Sequence, residues 1–161
     1  MESKQNTQLR LKYADLKNRR DLADVARMEI ELNLELRPRF KFDFSDSKAF
    51  EERIRGIKNV NKSTRIIIAH MAYSTETPAG YVEYFLNKKF NTVDGRLLYV
   101  YPEFRRMGVG SALVKAREEE ARQGKYSSVK IDARAEVEPF FRENGFTRPV
   151  AGSPFMIYNL R

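Results

Sequence analysis

The chain has 161 residues, 42% hydrophobic and 12% aromatic, which suits one packed domain spanning 1–161 and excludes wholesale disorder. It has no cysteine and one histidine, His70, which excludes disulfide scaffolds, thiolate zinc sites, cysteine nucleophiles and multi-histidine metal centres. The net charge is +8, shared evenly between the two halves of the chain, so no basic arm of the kind that grips nucleic acid is present.

A diffuse positive field still attracts phosphate-bearing ligands. Met1 to Lys12 is polar and lacks the apolar stretch of a signal peptide. The longest apolar run lies around Ile66-Ile67-Ile68, far below the roughly 20 residues that cross a bilayer. A soluble, cytoplasmic protein with no membrane partner is the expectation. The sequon Asn61-Lys62-Ser63 then carries no meaning.

Leu9 to Tyr13 alternates and predicts a short strand. Asp15 is placed to cap the helix that follows. Leu22, Val25, Met28, Leu32 and Leu36 recur at helical spacing, although Met28 to Leu36 also alternates with period two. Glu, Leu and Met favour the helix, and Pro38 ends it. Phe50, Ile54 and Ile57 mark a second helix capped by Ser45, Asp46 or Ser47. Arg65 to Tyr73 reads as a buried strand, Thr75 to Gly80 as a turn and Gly80 to Phe90 as another strand.

A turn is expected at Asp94-Gly95, then a strand over Arg96 to Val100. A helix from about Val109 to Gln123, a strand over Ser128 to Arg134, a short helix over Glu136 to Asn144 and a strand over Phe155 to Leu160 complete the chain. Hairpin-like strands followed by a β-α-β unit predict a mixed α/β sheet. Glu118-Glu119-Glu120 reads as a solvated helix face, Lys88-Lys89 as a strand end, and His70 as an ordinary strand residue. Arg37, Arg39, Phe40 and Phe42 mix basic and aromatic character, as a surface loop, a substrate contact or a nucleic-acid surface would.

The segment Arg105-Arg106-Met107-Gly108-Val109-Gly110-Ser111 lies directly between a strand and a helix. A helix start offers unsatisfied N–H groups and the positive end of a dipole. Glycines let the backbone approach an anion closely, and the arginines add charge, so a phosphorylated ligand is favoured here. The segment is neither the loop of nucleotide triphosphatases nor the full dinucleotide-binding glycine pattern.

Taken together, Arg96 to Ser111, Val129 to Ala133 and Pro139 to Phe146 resemble the GNAT superfamily of acyl-CoA-dependent N-acyltransferases. The most specific parts are Val100 to Gly110 and the downstream Gly145-Phe146. The resemblance implies a central, mostly antiparallel, splayed sheet of six or seven strands flanked by about four helices. It implies that Leu98, Tyr99 and Val100 hold the pantetheine arm of acetyl-CoA through their backbone. It implies that Arg106, Met107, Gly108, Val109, Gly110 and Ser111 wrap the pyrophosphate, with Arg105 at the family's Gln/Arg position. Phe140 and Phe141 would lie beside the coenzyme thiol. No metal is expected.

The implied reaction is direct acetyl transfer from acetyl-CoA to a primary amine, on a small molecule, a protein N-terminus or a lysine. An amine with a pKa near 10.4 arrives protonated, so a base must act, commonly through water. Glu83, Asp94 and Asp132 are the candidates, Glu83 first. The backbone N–H of Val100 is a candidate oxyanion donor. Many members place an acidic tyrosine where this chain has Phe141, which has no proton to give. Tyr99, Tyr101, Tyr158, water or unassisted departure would replace it. The alternatives are a basic module that contacts nucleic acid without chemistry and a coenzyme A-binding protein without turnover. A nucleic-acid partner is not expected; a homodimer through exposed edge strands is plausible.

Overall fold

The computed structural model describes residues 9–73 and 77–160. In chain order they form β1 (Leu9–Tyr13), α1 (Arg19–Leu36), α2 (Ser47–Lys58), β2 (Thr64–Met71), β3 (Pro78–Asn87), β4 (Thr92–Val100), α3 (Val109–Gln123), β5 (Ser128–Asp132), α4 (Glu138–Glu143) and β6 (Phe155–Asn159). The strands make one six-stranded sheet in the order β1-β2-β3-β4-β5-β6. Every neighbouring pair is antiparallel except β4 and β5. Part of the expected Thr75–Gly80 turn lies outside the described residues; β3 already begins at Pro78.

The period-two ambiguity in the first helix resolves as helix. Leu22, Val25, Met28 and Leu32 bury one stripe of α1 against the sheet, joined by Ile54 and Ile57 of α2. Asn18, not Asp15, caps α1: its side chain accepts from the amides of Arg20 and Asp21 at 2.8 and 3.3 Å. Asp15 sits too far upstream and accepts from the Lys17 amide instead. Asp46 caps α2 through the Ala49 amide.

The β3–β4 turn corrects a second expectation. It occupies positions 88–91, with Asn91 in the left-handed region at φ 54°, while Asp94 and Gly95 lie inside β4. Asp94 joins the hairpin together, accepting from Asn87 Nδ2 at 2.7 Å and Thr92 Oγ1 at 2.8 Å. The glycine serves packing. A Cβ there would stand 2.7 Å from both Arg117 Nη1 and Ile131 Cγ2. Arg117 is only 2% exposed and lies 5.5 Å from the centre of the Phe146 ring. Burial pushes its pKa down to about 10, so it remains charged at neutral pH.

Helices α1 and α2 cover one face of the sheet; α3 and α4 cover the other. The acidic run on α3 is not a solvated face. Glu118 is buried, and Glu120 accepts from Tyr13 and Tyr84 across the sheet; only Glu119 is exposed. Long helix-borne carboxylates reach polar groups on the strands below, which a linear charge run does not reveal. Among the described residues, no helix is long and apolar enough to cross a membrane.

Because Arg117 and Ile131 are both buried against this position, Gly95→Val is expected to destabilise the fold by about 1–3 kcal/mol. An unchanged denaturant midpoint would remove this packing account.

Candidate active site

Strands β4 and β5 pair only from Thr92↔Ser128 to Gly95↔Ile131. β4 then runs on to Val100 while β5 stops at Asp132, so the two strands part and leave a gap. The Tyr101 N–H donates to Ala79 O on the β3 side. Strand alternation therefore turns the N–H and C=O of Val100 and Leu98 towards the gap. The Val100 carbonyl accepts there from Arg105 Nε at 2.9 Å. Tyr99 differs: its carbonyl faces β3, close against Gly80. Of Leu98, Tyr99 and Val100, only the outer two thus offer main-chain groups to a ligand in the gap.

A bulge decides which side chains face which way. Glu83 pairs with Leu97 and Tyr84 with Gly95, so Arg96 is an extra residue in β4. Before it, Val93 and Gly95 point at α3. After it, Leu98 and Val100 do, while Leu97, Tyr99 and Tyr101 turn under α1 and α2. The insertion moves the tyrosines onto the face opposite the α3 turn.

The turn from Arg105 to Gly108 has two left-handed residues, Arg106 at φ 62° and Gly108 at φ 81°. A left-handed arginine costs on the order of 1–2 kcal/mol, a strain retained where the backbone must take one shape. Gly108 precedes α3, and no described side chain caps it, so the first-turn amides of Val109, Gly110 and Ser111 stay open. A Cβ on Gly108 would project into open space, whereas one on Gly110 would meet the Phe140 ring at 3.2 Å. Arg105 fastens this turn to α1, donating to Glu35 at 2.6 Å. Open amides, two glycines and the exposed Arg106 fit a diphosphate.

Phe140 and Phe141 lie on α4 with ring centres 5.1 Å apart, and Phe141 packs on Phe146. Tyr158 accepts from Arg122 at 2.7 Å. Tyr99 and Tyr101 stack edge to face, and burial raises both hydroxyls to about 12.

The three carboxylate candidates lie apart. Asp94 sits below the parting of the strands, with both oxygens engaged in the hairpin. Asp132 is exposed at the end of β5. Glu83 is 14% exposed, on the α1/α2 face, opposite Leu97. Burial pushes its carboxyl above the ordinary range, against the opposing pull of Arg96 at 3.9 Å. With Leu97 it lines a cleft of about 340 Å³ between that face and α1/α2.

Tyr81 had no signal in the sequence beyond strand periodicity. It is fully buried beside Tyr99, and its hydroxyl has no hydrogen-bond partner among the described residues. Arg37, Arg39, Phe40 and Phe42 form the α1–α2 connection, where Arg53 stacks on Phe40 and Phe42 on Phe44.

A family model described as the acetyltransferase (GNAT) family matches residues 30–146. The chain belongs to that family, whose class of reaction is acetyl transfer. A search of curated protein sequences gave no match. Among solved structures, a GNAT-family acetyltransferase from Staphylococcus aureus Mu50 superposes with a TM-score of 0.69 at 14% identity, covering 96% of this chain and 100% of that one. The PaiA N-acetyltransferase of Thermoplasma acidophilum, solved with coenzyme A, gives 0.65 at 16% identity over 93% and 97% of the two chains. A Bacillus anthracis protein solved with acetyl coenzyme A gives 0.53 at 16% identity over 63% and 65%. These likenesses establish the fold: a six-stranded mixed sheet with four helices, as the sequence resemblance implied.

An unpartnered buried hydroxyl costs stability that an isosteric apolar ring does not. Tyr81→Phe is accordingly expected to raise the free energy of unfolding by about 1 kcal/mol. A loss of stability in urea would mean that the hydroxyl already has a partner.

Proposed function

We propose that the protein transfers an acetyl group from acetyl-CoA to a primary amine by direct attack within a ternary complex. The observation that carries this reading is the gap between β4 and β5, closed at its top by the strained turn that opens α3. The residues present suit the coenzyme. The amides of Val109 to Ser111 and the side chain of Arg106 would hold the diphosphate, while Arg105, bonded to Glu35 and the Val100 carbonyl, would keep the turn in place. Main-chain groups of Leu98 and Val100 would hold the pantetheine arm, and Phe140 and Phe141 would flank the thiol.

When bound, acetyl-CoA supplies a thioester carbonyl and a thiol of pKa about 8.5 by analogy with cysteine. The Val100 N–H, turned into the gap, is the donor for the developing oxyanion. Glu83 takes the proton from the incoming ammonium, directly or through water. Its place across β4 from the gap and its raised affinity for a proton favour it over Asp94 and Asp132. Phe141 gives no proton, so the carbon–sulfur bond breaks with its electron pair leaving on sulfur, and the second proton of the attacking nitrogen passes to water.

Gly108→Glu would add bulk and negative charge to the turn. It is expected to abolish coenzyme A binding by calorimetry in a protein that still melts cooperatively; retained affinity refutes the assignment. Glu83→Gln is expected to lower kcat by about 100-fold or more while coenzyme binding persists. The base works when ionised, so the rate should rise with pH through a value above the ordinary glutamate range. That limb should vanish in Glu83→Gln. Thiol release followed with acetyl-CoA and a panel of amines reads all of these.

A further inference from the structure

The sheet-facing stripe of α3 runs Val109, Leu113, Arg117 and Ala121, all buried. Three of these are apolar and one carries a full charge. Arg117 meets Gly95 and Ile131, the last pair between β4 and β5, so its guanidinium lies at the fork from which the gap opens. Its Nε and Nη2 have no hydrogen-bond partner among the described residues. The titratable groups near it are Glu118 on its own helix and Tyr84, which pairs with Gly95 from β3. The positions that face it from β4, β5 and the segment after α4 are Gly95, Ile131 and Phe146, none of them charged. Glu118 is buried with one oxygen unpartnered, and burial strengthens its hold on a proton. Tyr84 donates to Glu120, and burial keeps its phenol protonated. No neighbour therefore neutralises Arg117 by contact.

Such a charge costs stability, and an apolar side chain of similar volume often serves a fold better. A buried polar group without partners calls for an explanation. Its position supplies one. The centre of the Phe146 ring lies 5.5 Å from the guanidinium carbon of Arg117 and 5.5 Å from the centre of the Phe141 ring. Phe141 is the side chain that stands beside the thiol without a proton to give. One aromatic ring thus separates an uncompensated cation from the wall of the place where sulfur takes up negative charge. Ile131, Phe141 and Phe146 belong to the buried apolar cluster, so the field of the cation is weakly screened there.

We propose that Arg117 supplies, from beneath the fork, the fixed positive charge against which the sulfur of the coenzyme departs. This rests on the acetyl-transfer reading above and adds a residue to it. The amine nitrogen forms its bond to the acetyl carbon, the carbon–sulfur bond breaks, and the electron pair stays on sulfur. The two protons lost by the nitrogen go to Glu83 and to water. Arg117 exchanges no proton and touches no reacting atom. A charge already in place needs no reorganisation when the thiolate forms, and a nearby cation lowers the pKa of a thiol.

The chain has no cysteine, so the thiol of bound coenzyme A is the only one in the complex. Its ionisation is followed by thiolate absorbance, blanked with the desulfo-coenzyme A complex, and by the pH dependence of its alkylation with iodoacetamide. The proteins compared are the native chain, Arg117→Met, Arg117→Gln and Arg117→Lys. In the native complex the thiol is expected to titrate about one pH unit below the free thiol. Both neutral variants are expected to return it to the free value and to lower kcat about tenfold. Their affinity for acetyl-CoA should be unchanged and their melting temperature equal or higher, while Arg117→Lys keeps most of the lowering. A native thiol that titrates like the free one overturns the proposal. A thiol that stays lowered in the neutral variants overturns it too, and leaves the amides of α3 as the cause. Neutral variants that do not fold overturn it as well, because the fold would then need the charge. The two readings fail separately: a native protein that binds no coenzyme A brings down acetyl transfer and this inference together, whereas bound coenzyme with an unshifted thiol removes the role of Arg117 alone.

Discussion

The proposed function depends on the place where β4 loses its neighbour. Up to Gly95 its edge is satisfied by β5; beyond it, the main-chain groups of Leu98 and Val100 have no strand to bond. An open edge within a sheet is costly unless something pairs with it. Here Arg105 takes one carbonyl, and the rest of the edge is available to an extended ligand arm. The gap exists because β5 ends at Asp132 and the chain departs towards α4. Gly95 matters at the same level, since the buried Arg117 occupies the space its side chain would need.

A single extra residue then separates two chemistries. The bulge at Arg96 exchanges the faces of all the residues that follow it in β4. Leu98 and Val100 stay with α3 and the turn before it, while Leu97, Tyr99 and Tyr101 join Glu83 and Tyr81 on the other face. The gap beside β5 and the cleft beneath α1 and α2 thus lie on opposite sides of one strand. The two faces are also mechanically linked. Arg105 joins the α3 turn to Glu35 near the end of α1, so the helix that roofs the cleft is tied to the turn that opens α3.

Electrostatics divide along the same line. The positive excess of the chain and the amides of α3 favour a polyanionic coenzyme. The cleft under α1 and α2 reverses the sign locally with Glu29, Glu52 and Glu83. Bulk charge therefore says little about that cleft, because its potential is governed by the groups that line it.

Much of this was legible in the linear sequence. Apolar periodicity located the helices and strands, and the glycines at 108 and 110 between a strand and a helix marked that turn as the candidate for an anion, because helix starts behave alike in any fold. The family resemblance of Val100 to Gly110 and Gly145-Phe146 was legible too. The Asp94-Gly95 turn signal misled because a glycine needed for packing looks the same as one needed for a turn. Asp15 misled because several residues before a helix can cap it, and only the chain path selects Asn18. The bulge, the burial of Arg117 and the orphaned Tyr81 hydroxyl were decided by tertiary structure alone. So was the gathering of carboxylates from α1, α2 and β3 into one cleft. Each depends on which distant segments share space, and local spacing carries no record of that.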